Sequence, residues 1–358
     1  MENLVARNSS ALISVAAVII IVYGMQAAKV LIVPFLLAVF LALIAVRPML
    51  WLQARKVPSV LAALIIVVAM MLIIGLVGSI VGTSIAEFTA ALPSYQVRLE
   101  AIITSTGALI GDLLGDEREV PNFADMIDPG FAMSFAATIL NALRDVLTNA
   151  FLILFTMVFM LLEASSMGVK AQAAFGRSAD TFRRPKQFVD NLGRYLGIKT
   201  IVSMATGITA WIVTWSIGLD FPLLWGMLAF LFNYVPTIGS IIAAVPAVLL
   251  ALIQLGVGEA TTTAIGFLAI NMVFGNFIEP RLMGYGVGIS PLIVFTGLVL
   301  WGWIFGPVGM LLSVPLTMTV KMALESDERT RWIAILIGSE RDAEYALMQR
   351  VRAEKKEE

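Results

Sequence analysis

Between Val30 and Val46 no side chain carries a charge or a hydrogen-bonding group, and a second apolar run, Ala11 to Ala28, precedes it with only Lys29 between them. A soluble domain has no means of covering such runs, whereas about 20 apolar residues in a helix match the roughly 30 Å hydrocarbon core of a bilayer. Four further runs follow, Val57 to Thr83, Asn149 to Leu162, Leu196 to Gly218 and Thr261 to Phe277. The expected fold is all-α, a polytopic helical membrane protein with about six full spans. Composition agrees, with 59% apolar residues, 14% charged residues and a mean hydropathy of +0.92. The first run has the small residues of a signal-peptide end at Ala27 and Ala28, but the second begins at once, so it reads as retained.

Lys and Arg number 24 and Asp and Glu 25, a balance that argues against nucleic acid as a partner. The charges are nevertheless sorted along the chain. Arg47, Arg55 and Lys56 stand without an acid between the second and third runs, which makes that turn cytoplasmic. Residues 84–147 carry Arg98, Arg118 and Arg144 against many acids, including Asp116, Glu117 and Glu119, and belong outside. Residues 163–195 are basic again, with Lys170, Arg177, Arg183, Arg184, Lys186 and Arg194. Cytoplasmic N- and C-termini satisfy all three segments. The outer segment is broken by Pro93, Pro121 and Pro129, and reads as short amphipathic helices near the outer leaflet. Five regions result: a three-span unit (1–83), the outer segment (84–147), a fourth span with a basic cytoplasmic segment (148–195), a core (196–322) and an amphipathic cytoplasmic tail (323–358).

The core contains a repeat. Residues 222–246 read PLLWGMLAFLFNYVPTIGSIIAAVP and residues 291–315 read PLIVFTGLVLWGWIFGPVGMLLSVP. Both open on Pro-Leu, break at a central Pro with a following Gly (Pro236 and Gly239, Pro307 and Gly309) and close on Val-Pro. Their first arms, about 21 and 24 Å at helical rise, fall short of the hydrocarbon thickness. Each is expected to form a re-entrant helical hairpin with an unwound tip that needs a protein or water lining. With one span between them, the two hairpins are opposed and their tips meet near the midplane, the arrangement that marks the substrate site of secondary transporters. The other reading makes each stretch two tilted spans kinked at proline.

Polar groups at membrane depth cost about 2.5 to 3.5 kcal/mol for a central charge, so the few present are candidates. Asn233 and Tyr234 precede the first tip, and Thr237 and Ser240 follow it. Asn271 and Asn276 lie in the intervening span, and Glu279 and Arg281 flank Pro280 at its end, facing a cavity or snorkelling as an interfacial pair. Lys199, Asp220 and Glu259 read as interfacial residues at span ends. The absence of Cys and His removes thiol and imidazole chemistry and nearly every zinc or copper site, and neither a Walker loop nor a catalytic constellation occurs. The expectation is a non-enzyme without cofactor or metal.

The core resembles the autoinducer-2 exporter family of bacterial membrane transporters. The likeness is carried by Trp225-Gly226, Asn233, Pro236 and Gly239, by Asn276, Pro280 and Gly284, by Pro291, and by Gly306, Gly309 and Pro315, with Arg194-Tyr195-Leu196 leading to Lys199. It implies a multi-pass protein of the bacterial inner membrane that moves a small polar solute, assembled as a homo-oligomer of which a pentamer is one form. Family members differ in cargo, so a proton-coupled sodium or lithium antiporter, with Glu279 as proton carrier, stands as an alternative. A channel or a non-transporting membrane scaffold is another. The substrate-binding set expected here is Asn233, Tyr234, Pro236, Thr237, Gly239, Ser240, Asn276, Glu279, Arg281, Gly306, Pro307 and Gly309. The partners are the bilayer and a small polar solute or monovalent cation.

The charge pattern generates a direct test in this Cys-free chain. Of single cysteines at positions 55, 118, 184 and 345, only the one at 118 should react in intact cells with an impermeant thiol reagent. Labelling at 184 would reverse the orientation.

Overall fold

The computed structural model describes residues 2–114, 144, 148–175, 179–236, 238–283 and 288–340, with 343, 344, 347 and 348. Those residues are helical throughout apart from turns and one isolated antiparallel bridge, Ile289 to Gly338. In chain order the helices are α1 (Glu2–Ala27), α2 (Lys29–Ala54), α3 (Ser59–Leu114), α4 (Ala150–Phe175), α5 (Ala179–Ile217), α6 (Pro222–Phe232), α7 (Gly239–Gln254) and α8 (Val257–Ile270). A π-helical stretch, Asn271–Ile278, leads into α9 (Glu279–Met283), and α10 (Pro291–Phe305), α11 (Pro307–Leu311), α12 (Ser313–Ser326) and α13 (Arg331–Ile337) complete the chain.

Four helical stretches are long and apolar enough to cross a bilayer: Lys29–Ala54, Ser59–Phe88, Gln187–Ile217 and Val257–Met283. The first and fourth expected spans appear as the shorter apolar helices Ala16–Ala27 and Ala150–Glu163. Proline ends fewer helices than the sequence pattern predicts. Pro93 lies inside the 56-residue α3, where short broken helices were expected, because a proline costs one backbone bond and a kink but does not forbid continuation. The remainder of the expected outer segment, 115–143 and 145–147, lies outside the described residues.

The chain forms two compact units. The first comprises Met1–Ile66, Phe151–Gly193 and Val287–Glu358. Within it, α1 and α2 are joined through Ala28 alone, at near-helical φ −89 and ψ 8. Val22, Met25, Ile32, Val33 and Leu36, from both sides of that joint, pack on Trp301, Ile304 and Phe305 of α10. The α2 to α3 turn is the basic one, and there the Arg55 guanidinium stacks 3.7 Å over the Trp51 ring. The second unit comprises Val67–Ala150 and Arg194–Gly286. Its core gathers Phe88 and Tyr95 of α3, Ala210 of α5, Trp225 and Leu228 of α6, Ala247 and Leu250 of α7, and Phe267 and Ile270 of α8.

Each unit contains one copy of the repeat. Pro222 and Pro291 occupy the first turns of α6 and α10, where a missing N–H costs nothing because the first amides of a helix have no partner within it. Pro246 lies inside α7 and Pro315 in the first turn of α12, so the closing prolines do not end the second arms. The central break is real in both copies. In the first the chain leaves the helix at 233–236, and in the second it is kinked at Gly306, at φ 69 and ψ −150, a conformation open to glycine. The arms of each copy then pack on one another, α6 on α7 and α10 on α12.

Gly239 and Gly309 are where the arms come closest. A Cβ at Gly239 would run into the Phe232 carbonyl oxygen, and one at Gly309 into the Trp301 carbonyl oxygen. Neither obstacle is a side-chain end that can swing aside. Gly75, by contrast, has nothing within 4 Å. Gly239→Ala and Gly309→Ala should each lower the melting temperature of the purified protein by at least about 5 °C and abolish transport, while Gly75→Ala leaves both unchanged. Wild-type melting in either tip variant would show that the tips are not packed in this way.

Candidate functional site

The second unit is built as a descent along α5, a return along α6, a second descent along α7 and a second return along α8. The part of α5 from Lys199 to Ile217 is about 27 Å long, and it ends in a turn where Gly218 has φ 79 and Phe221 has φ 58. From there α6, 11 residues and about 16 Å long, comes back along α5. Gly207 and Gly226 mark the crossing, since a Cβ on Gly207 would lie 2.7 Å from the Gly226 carbonyl oxygen and 2.8 Å from Phe230 Cβ. Small residues here let two backbones approach. After the tip, α7 returns to the starting level, because Gln254 Oε1 accepts from the Asp220 amide at 2.9 Å and Gln254 Nε2 donates to the Gly218 carbonyl at 3.3 Å. Both outer ends of the first hairpin are therefore at one end of α5.

That root is clasped from several sides. The Trp225 indole N–H donates to the Asp220 carbonyl at 2.7 Å, and the Tyr95 hydroxyl of α3 donates to Asp220 Oδ2 at 2.7 Å. Burial, with the Asp220 carboxylate beside it, pushes the Tyr95 phenol above its usual range. Asp220 thus does more than sit solvated at a span end. The second hairpin, in the other unit, is held by comparable bonds. Lys321 Nζ on α12 donates at 2.6 Å to the Gly288 carbonyl that precedes α10, and the Trp301 indole N–H of α10 donates to Thr317 Oγ1 of α12 at 3.1 Å.

The tip of the first hairpin meets a polar stripe on α5. Tyr195, Lys199, Ser203 and Thr206 recur at helical spacing and share one face. Asn233 Nδ2 donates to Ser203 Oγ at 2.8 Å, and the Tyr234 hydroxyl donates to Thr200 Oγ1 at 2.7 Å, which itself donates to the Leu196 carbonyl. Asn233 Oδ1 has no partner among the described residues and retains its acceptor capacity. The second return, α8 with the π stretch, then brings Glu279 to Lys199. Lys199 Nζ and Glu279 Oε1 are 2.6 Å apart, with side chains only 7% and 17% exposed. Two of the three Lys199 N–H groups have no acceptor among the described residues.

The π stretch fixes where Glu279 points. Widening the helix by the extra residue of a π bulge rotates everything after it, and such bulges recur at functional sites. Gly275 belongs to this stretch, and Asn271 Oδ1 would lie 3.0 Å from a Cβ placed there. The partner of Glu279 is therefore not Arg281, as the flanking of Pro280 suggests, but Lys199, 80 residues earlier. Arg281 is exposed, with its guanidinium 5.9 Å from the Phe277 ring centroid.

Of the residues expected at the site, Asn233, Tyr234, Pro236, Gly239, Ser240 and Glu279 lie at or around this tip and stripe within one unit. Asn276 and Arg281 share the unit but are exposed. Thr237 and Gly284 lie outside the described residues. Gly306, Pro307 and Gly309 form the tip of the hairpin in the other unit. Sequence reasoning passed over Lys199, Thr200, Ser203 and Thr206 as binding residues. The signal was available, since polar residues at i, i+4 and i+7 inside a span-length helix mark a face that lipid does not cover.

Comparison with known proteins identifies the family. The family model described as AI-2E family transporter matches residues 12–328. The AI-2 transport protein TqsA of Escherichia coli (strain K12) is 39% identical over 329 residues, 91% of this chain and 94% of that protein. A relative from Haemophilus influenzae is 38% identical over 336 residues, 92% of this chain and 97% of its own length. YrrI of Bacillus subtilis (strain 168) is 24% identical over 311 residues, covering 83% and 86% of the two chains. The chain belongs to the AI-2E family of transporters and is a multi-pass membrane transporter of small solutes.

The buried pair lends itself to a double-mutant cycle. Removing one partner leaves an uncompensated charge in a low-dielectric setting, so Lys199→Met and Glu279→Gln should each destabilise by about 3 to 5 kcal/mol, while the double variant recovers most of the loss. Additive losses in detergent melting curves would show that the two side chains do not interact.

Proposed function

We propose that this transporter carries a small neutral polar solute, autoinducer-2 or a related metabolite, at the tip of the first hairpin, held between Asn233 and the polar face of α5. The observation that carries the reading is the tip itself. The α6 and α7 arms leave from and return to the 218–220 turn, and α6 is only about 16 Å long. Placed in a bilayer with roughly 30 Å of hydrocarbon, this is a re-entrant hairpin whose tip ends at depth beside Ser203. Unspent donors on Lys199 and an unspent acceptor on Asn233 are the groups a hydroxyl-bearing solute would engage. The name of the Escherichia coli relative supports autoinducer-2 as the cargo.

A second reading concerns coupling. Glu279, at the mouth of α9 and paired with a buried amine, is the group through which a proton gradient would act. Protonation removes the charge that holds Lys199, which links proton binding to the packing of α5 against the second return. The reading also includes a homo-oligomer in the bacterial inner membrane with both termini cytoplasmic, in line with the basic Arg55-Lys56 turn.

Flux into proteoliposomes tests both readings. Asn233→Ala should raise the KM for autoinducer-2 about tenfold or more without loss of expression, and Glu279→Gln, measured per folded protein, should retain counterflow but lose the response to an imposed proton gradient. An unchanged KM in Asn233→Ala would remove the tip as the solute site. Undiminished gradient-driven flux in Glu279→Gln would remove Glu279 as the proton carrier.

A further inference from the structure

Thr206 lies one helical turn from Ser203, on the same face of α5 as Lys199. It is 7% exposed, and its Oγ1 has no hydrogen-bond partner, one of two such buried side-chain atoms among the described residues with Ser313 Oγ. The other threonines described on α5 spend their hydroxyls on carbonyls of their own helix: Thr200 on Leu196, Thr209 on Ala205 and Thr214 on Ala210. That escape is open to any threonine in a helix, and Thr206 does not take it. A buried hydroxyl left unpaired costs about 1 to 3 kcal/mol, so the position carries a standing demand for a partner.

Its surroundings are bracketed by contacts within the same unit. Toward one end Lys199 meets Glu279, and toward the other a Cβ on Gly266 of α8 would touch Val213 Cγ1 at 2.8 Å. Thr206 is midway between Lys199 and Val213 along α5, so the stretch of the antiparallel second return at its level is the one midway between Glu279 and Gly266. That is the beginning of the π stretch Asn271–Ile278, where regular i to i−4 bonding is interrupted. On its other flank, Gly207 is pressed against Phe230 and Gly226 of the first hairpin. An orphaned hydroxyl, a hydrogen-bonded Asn233 and Ser203 one turn away, and an irregular helix at the same level converge on one place.

We propose that Thr206 and Ser203 form a hydroxyl-binding subsite for the cargo, in which Thr206 Oγ1 exchanges a hydrogen bond with a hydroxyl of a neutral, hydroxyl-rich solute. This rests on the reading that the first hairpin tip and α5 hold the solute, and extends it to residues beyond the tip. A solute hydroxyl at this position gives Thr206 Oγ1 the partner that its own helix does not supply. Thr206 acts as a specificity-determining residue, because a solute lacking the matching hydroxyl leaves the orphan unpaired.

Thr206→Val tests this, since it keeps the shape and removes the hydroxyl. In proteoliposomes the KM for autoinducer-2 should rise about three- to tenfold, the value expected for one hydrogen bond. The melting temperature of the solute-free full chain should stay the same or rise, and Thr206→Ser should transport with a KM near wild type. A purely structural threonine would instead lower the melting temperature without changing KM, which overturns the proposal. So does a wild-type KM in Thr206→Val when Asn233→Ala measured beside it raises KM. Should Asn233→Ala leave KM unchanged while Thr206→Val raises it, the tip reading falls and the Thr206 subsite stands. If Thr206→Val does not fold, a wild-type KM in Thr206→Ala overturns the proposal in its place.

Discussion

Hydrocarbon offers no partner for a backbone amide or carbonyl, and most of this structure follows from that constraint. A chain that stops short of crossing must have its irregular backbone covered by protein. Under the re-entrant reading proposed above, the first hairpin meets the condition with side chains at both ends. Gln254 pairs with the backbone of the 218–220 turn at the root, and Asn233 and Tyr234 pair with Ser203 and Thr200 at the tip. Glycines at 207, 226 and 239 remove the side chains that would hold the backbones apart. The second hairpin uses the same devices, Lys321 to the Gly288 carbonyl at its root and Gly309 against Trp301 at its tip. The repeat is thus one physical solution used twice, and its sequence signature is the set of positions where proline starts an arm and glycine admits a neighbour.

The same constraint turns polar residues into a map of function. A helix of span length that carries Lys199, Ser203 and Thr206 on one face has to present that face to protein, water or solute. The hairpin tip and α8 with its π stretch cover it, but not to completion. Lys199 keeps unspent donors, Asn233 an unspent acceptor, and Thr206 an unspent hydroxyl. Buried polar networks in stable cores are closed, whereas this one is left open, and the proposed solute would close it. The Lys199 to Glu279 pair gives the network its only opposed charges among the described residues of this unit, and leaves it neutral overall.

Much of this was legible before the structure. The length of the apolar runs gives an all-helical membrane protein, and the doubled Pro-Leu to Val-Pro pattern gives two pairs of packed arms broken at the centre, with Gly239 and Gly309 at close approaches between them. What stayed hidden depends on distance in sequence. Lys199 looks like an interfacial residue at a span end until Glu279, far along the chain, arrives beside it, and no local pattern announces that meeting. Arg281, two residues from Glu279 across Pro280, is the natural local partner, and the π stretch turns Glu279 elsewhere. Pro93 and Pro246 look like helix ends because proline disfavours helix interiors, but apolar packing on either side exceeds that cost. Tyr95 and Asp220 likewise belong to different regions of the sequence, and only the fold makes them a clasp.

The central claim is that the first hairpin stops within the bilayer. The most direct measurement is the depth of a spin label at Pro236→Cys in lipid, read by collision with oxygen and with a water-soluble nickel chelate, beside labels at Phe221 and Leu255. The account expects the 221 and 255 labels in one headgroup region and the 236 label deep in the hydrocarbon, about 16 Å in. A 236 label in the opposite headgroup region, exposed to the nickel chelate, would make the hairpin two full spans and contradict the account.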